Sequence, residues 1–90
     1  MPQAIIDPAE LRRFAHNLKH FSNEVQHHMA SIQGQFSSLG DTWRDQEHEK
    51  FAQEFSQTML VLGNFLATAQ NHIPFLLRKA ERIEEYLQQR

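Results

Sequence analysis

The sequence predicts an all-α protein, an antiparallel two-helix hairpin that dimerises into a four-helix bundle. Two trains of apolar residues, each stepping by three and four and separated by one short break near Gly40, predict the hairpin. The dimer is expected from a second apolar line on the later train, which a single hairpin cannot cover.

Size and composition narrow the field. Ninety residues make one small domain, spanning 1–90. Chains this short bury little of their apolar surface and often lean on disulfides, a metal or oligomerisation. With no cysteine in the chain, disulfides and thiolate metal sites are excluded, and a protein partner becomes the default. The formal charge of −2 and the scattered Lys and Arg residues give no footprint for nucleic acid. The start, Met1 to Asp7, lacks the basic and apolar regions of a signal peptide, and no run approaches the ~20 apolar residues of a membrane span. A cytoplasmic location is expected, with any export using no cleaved signal.

Helix 1 is expected over about 8–39. Asp7 is placed to cap it, Pro8 suits its first position, and Glu10 completes a capping box. Leu11, Phe14, Leu18, Phe21, Val25, Met29, Ile32, Phe36 and Leu39 then fall within a band about 80° wide, one stripe facing one partner. Gly34 is the only weak residue inside it.

The turn is expected over about 40–45. Gly40 can end helix 1 in the left-handed conformation, and Asp41, Thr42 or Asp45 can cap helix 2. So short a link makes the helices antiparallel. Trp43, the only tryptophan, is read as a plug closing the hairpin end over Leu39 and Phe36, with an indole edge that can also serve recognition.

Helix 2 is expected over about 45–88, kinked near Pro74, beyond which the period resumes. Phe51, Phe55, Met59, Leu62, Leu66, Ala69, Ile73, Leu76, Ala80, Ile83 and Leu87 form its first line. Folding about the turn sets Phe36 near Phe51, Ile32 near Phe55, Val25 near Leu62 and Leu11 near Leu76, with Ile5 and Ile6 beside Ala80 and Ile83. The expected hairpin core is Leu11, Phe14, Leu18, Phe21, Val25, Ile32, Phe36, Phe51, Phe55, Leu62 and Leu66. A second line of Val61, Phe65, Thr68, His72 and Phe75 lies about 100° round. Val61, Phe65, His72 and Phe75 are the expected dimer interface.

Candidate sites of chemistry are few. His16 and His20 have the i,i+4 spacing of a two-imidazole metal site, but His16, His20 and His27 stand opposite the apolar stripe with only Glu24 nearby. They read as a solvated polar face. His48-Glu49 begins like a zinc-protease helix, yet Phe51 and Ala52 stand where the second histidine belongs. The serines have no strained elbow, and a hairpin offers no deep pocket. No catalytic, cofactor or metal residue is expected, so the chain is read as no enzyme.

A 90-residue chain of two helices with Trp43-Arg44-Asp45 in the turn, followed by Phe51 and Phe55, resembles the WXG100 (ESAT-6-like) family of type VII secretion. The likeness runs over nearly the whole chain. The family's Trp-x-Gly glycine is replaced by Asp45, as in a divergent subset bearing Trp-Arg-Asp. Its C-terminal export signal, Tyr followed four positions on by Asp or Glu, is represented by Tyr86 with Arg90 at the acidic position. The resemblance implies pairing with a second copy or a related chain, and contact with a secretion component or effector. It supports dimerisation better than export. The alternative is a cytosolic adaptor or chaperone-like partner of a larger helical effector that is not exported by itself.

Overall fold

A computed structural model describes residues 6–89. Ile5 and Arg90, and the expectations placed on them, lie outside the described residues. Two helices, α1 (Pro8–Leu39) and α2 (Gln46–Gln88), fold back on each other, and there is no strand among the described residues. The hairpin measures 68 × 22 × 15 Å. Its smallest dimension is little more than one helix with its side chains, about 10–12 Å. The molecule is one layer thick, so no side chain has a second layer above it.

Local chemistry sets the helix ends. The Asp7 carboxylate accepts from the Ala9 N–H at 2.9 Å, and Pro8 opens α1 where its missing N–H costs nothing. Gly40 departs from the left-handed expectation: its φ of −59° and ψ of −18° are right-handed, its N–H donates to Ser37 O, and the Asp41 N–H donates to Ser38 O. The chain instead leaves α1 through a tightened turn, with Thr42 and Trp43 N–H groups both donating to Leu39 O. Because that turn carries the chain past Asp41 and Thr42, the cap of α2 falls to Asp45. Its carboxylate accepts from the His48 N–H at 3.0 Å. Pro74 sits inside α2, which continues through it, leaving the Gln70 carbonyl without its usual donor.

Small side chains fill the contact between the helices. Ala15 and Ser22 of α1 and Leu66, Ala69 and Ala80 of α2 are the buried residues. Small residues let the two backbones approach closely, and Leu66 is the one large side chain fully enclosed among the described residues.

The expected core needs correction. Phe14, Phe21, Ile32 and Phe51 are exposed, whereas Leu11, Leu18, Val25, Phe36, Phe55 and Leu62 are half-buried. Helix geometry explains the division on α1. Leu11, Leu18, Met29 and Phe36 point within about 20° of one another, and Phe14, Phe21, Ile32 and Leu39 form an equally tight group about 60° further round. The first group is half-buried throughout and the second exposed throughout. Ala15 and Ser22 lie on the opposite flank of the first group. The stripe is therefore centred about 70° round from the buried Ala15 and Ser22, and one edge of it faces outwards.

Candidate functional site

The outward edge of α1 and the second line of α2 share one side of the hairpin. Phe14 and Leu18 line a groove with Phe65, Thr68, Ala69, His72, Phe75 and Leu76, nearly all of it apolar surface. Towards the turn, Ile32 and Leu39 line another with Phe36, Phe51 and Phe55. Between them Val25, His28, Met29 and Ile32 meet Met59 and Leu62. These depressions form one apolar face along the molecule.

Its large side chains stand well out of the surface: Phe14 is 55%, Phe65 57% and Phe75 50% exposed, and Phe21, Val61, Ile32 and Leu39 are exposed as well. Isolated surface hydrophobics need no explanation, but a contiguous face of phenylalanines marks an interaction site. Val61, Phe65, His72 and Phe75, named from the sequence, all stand on the exposed side of α2. Phe14, Phe21, Ile32 and Leu39 were missed as members of the face. The signal was available, because an 80° band is wider than one narrow seam and splits into the two groups of α1.

The turn is a second organised region. Trp43 is half-buried, and its indole N–H donates to Asp45 Oδ1 at 2.9 Å, the same oxygen that accepts from the His48 N–H. One carboxylate oxygen thus ties the tryptophan to the first turn of α2. The indole meets His48 edge-on at 5.0 Å and Phe51 at 5.9 Å. The indole thus packs against the first turns of α2. His48 lies flat on Phe36 at 5.3 Å, and Phe36 meets Phe51 at 5.5 Å and Phe55 at 4.9 Å. His48 Nε2 is buried with no hydrogen-bond partner among the described residues. The sequence hinted at this histidine only through its place three residues after the capping Asp45. Arg44 Nε donates to Gly40 O, closing the turn from outside.

At the open end, the Arg12 guanidinium forms a two-pronged pair with Glu84, its Nε lying 3.2 Å from Oε2. The hydrogen bond from Arg12 holds the Glu84 carboxyl below its usual range and raises Arg12 further above its own. Both groups are solvated, so the pair steers the helix ends more than it stabilises them. His16, His20 and His27 are exposed, and no cluster of three or more metal-ligating side chains exists among the described residues. Among those residues, too, no helix is long and apolar enough to cross a membrane.

The comparisons with known proteins agree with this geometry. The WXG100 family model, described as "Proteins of 100 residues with WXG", matches residues 3–86. The chain is similar to the secreted protein EsxB of Bacillus anthracis str. Sterne, at 27% identity and a TM-score of 0.80, covering 96% of this chain and 98% of that one. A second crystal form of EsxB gives 27% and 0.79, covering 93% of this chain and 97% of that one. A single-residue variant of the same protein gives 28% and 0.82, covering 90% and 94%. Among curated protein sequences none matches.

Proposed function

Starting from a chain that belongs to the WXG100 family, a group of small helical proteins of type VII secretion, we propose that this member works by non-catalytic pairing through its apolar face. The observation that carries the reading is the row of half-exposed phenylalanines on one side of a one-layer hairpin. Covering roughly 100 Å² on each of Phe14, Phe21, Phe65 and Phe75, at about 25 cal/mol per Å², releases on the order of 10 kcal/mol. Association itself costs ~4–15 kcal/mol. The four rings alone roughly offset that cost, and Val61, Ile32 and Leu39 tip the balance towards a stable pair. The partner is a second copy or a related WXG100 chain, and the product a four-helix bundle that a secretion component or effector can recognise.

Secretion of this chain is part of the proposal, supported by the likeness to a protein described as secreted. The turn residues Trp43, Arg44 and Asp45 give that recognition a rigid, partly solvated surface. A second reading, a cytosolic adaptor for a larger helical effector, is favoured by one observation: Tyr86 is followed four positions on by Arg90 and not by an acidic residue.

Tagged protein purified from its native cell tests the pairing. Equimolar recovery of an untagged copy or a related small chain supports it, and recovery of the chain alone contradicts it. Appearance of the chain in the medium only when the secretion machinery is intact separates export from the adaptor reading.

A further inference from the structure

Six histidines occur in ninety residues, and two of them stand clear of both the helix seam and the apolar face. We infer that His16 and His20 form an open two-imidazole site for a divalent transition-metal ion of the nickel–copper–zinc group, on the side of α1 that neither surface uses.

α1 runs unbroken from Pro8 to Leu39, so the four-residue spacing of His16 and His20 is one helical turn. That spacing sets their Cβ atoms about 5–6 Å apart on the same side of the helix. Imidazole nitrogens bind such ions at about 2.0–2.1 Å, which puts two donors on one ion roughly 3 Å from each other. Rings one turn apart can converge that far by side-chain rotation alone.

The other histidines do not offer this arrangement. His27 and His28 are neighbours in sequence, leave the helix about 100° apart and meet edge-on at 6.0 Å. His48 lies on Phe36 in the turn cluster, and His72 lines the groove beside Phe65. His16 and His20 are the one pair among the six separated by a single turn, and both are exposed. Their mean direction lies about 130° round α1 from the buried Ala15 and Ser22, and equally far from the exposed Phe14 and Phe21 on the other flank. The pair therefore stays in water whether the apolar face is covered or not.

The number of ligands decides the kind of site. Among the described residues no group of three or more metal-ligating side chains exists, so a closed four-ligand structural site is excluded. Two imidazoles instead leave the remaining positions to water or to a ligand from outside. Nitrogen donors without thiolate favour copper above nickel and zinc, and give calcium and magnesium nothing they prefer. Glu24, one turn beyond His20, is placed to orient that ring through its far N–H, as carboxylates do behind metal-bound histidines. Arg13, one turn before His16, opposes a cation and keeps the affinity moderate.

Titration of the full-length chain without a histidine tag tests the site, at mildly alkaline pH in a buffer that does not chelate, because only neutral rings bind. Copper(II), nickel(II) and zinc(II) are the probes. One ion per chain is expected, with copper bound most tightly. His16→Ala and His20→Ala are each expected to weaken binding at least about tenfold with unchanged circular dichroism, since losing a ligand costs no less than losing its outer-shell support. His27→Gln is expected to bind as the wild type does, and so is Phe65→Asp, which alters only the apolar face. Absence of binding to the wild type, or undiminished binding to His16→Ala or His20→Ala, overturns the inference. An equal loss in His27→Gln overturns it as well, by showing diffuse attraction to a histidine-rich face.

Discussion

The inner seam and the outer face of the hairpin reverse the usual placement of large and small side chains. The seam between α1 and α2 encloses Ala15, Ser22, Ala69 and Ala80, with Leu66 the only large buried side chain among the described residues. Phe14, Phe21, Phe65 and Phe75 stand outside on one face. Chains normally enclose their largest apolar groups first, because those gain most from leaving water. On the pairing proposed above, a hairpin that encloses its alanines and exposes its phenylalanines is half of a core, the other half coming from a second molecule. The seam sets how closely the helices approach; the face is the surface proposed to join a partner.

That contrast breaks most visibly at the face. Phe65→Asp is expected to weaken pairing at least 100-fold, on the order of the cost of removing a ring that covers roughly 100 Å² and placing a charge in an apolar seam. Sedimentation at micromolar concentration reads the loss, and an unchanged association would place Phe65 outside the interface. The seam should respond differently. Ala69→Leu is expected to cost ~1–3 kcal/mol through overpacking between closely spaced helices, read as a lower denaturant midpoint. A neutral result there would mean that the helices do not approach as closely as Ala69 and Ala15 imply.

The turn is intermediate, belonging to neither surface. Trp43→Ala removes a half-buried indole and its hydrogen bond to Asp45, at a cost of about 1–3 kcal/mol and with no loss of helix content. If unfolding is unchanged while partner binding fails, the indole is a recognition residue alone. Gly34→Ala sharpens the contrast from the stabilising side. An added Cβ at this exposed helical position meets nothing within 4 Å, so the exchange is expected to raise stability by up to about 1 kcal/mol.

Acidification gives the smallest effect. Because Arg12 lowers the Glu84 pKa in the folded chain, the unfolded chain binds more protons in the window between the two values. The contribution of the pair is present above the unfolded value, near 4.5, and fades as pH falls through the lowered folded one. Carboxyl NMR of Glu84 in wild type and Arg12→Met reads this directly, and identical titrations would show the pair to be absent in solution.

The two helices and the break between them were legible in the sequence because the three-and-four period requires only that apolar residues share a side. What the period leaves undetermined is rotation. The band from Leu11 to Leu39 gives no sign of which edge meets α2; that depends on Ala15 and Ser22, small residues that no apolar pattern marks. The same blindness placed Phe14, Phe21 and Ile32 in the core. The details of the turn were also beyond reach, since whether Gly40 is left- or right-handed depends on where Thr42 and Trp43 find an acceptor, and both take Leu39 O. On α2 the lines were separable because Val61, Phe65 and Phe75 stand apart from Leu62, Leu66 and Ala69.

The central claim, that this hairpin is half of a core completed by its own copy, is tested most directly by sedimentation equilibrium of the isolated chain at micromolar concentration. The account predicts a mass of two chains, 2 × 10.6 kDa, in the absence of any other protein. A single-chain mass of 10.6 kDa across that range, with the helices intact by circular dichroism, would contradict completion by its own copy and leave a related chain as the partner.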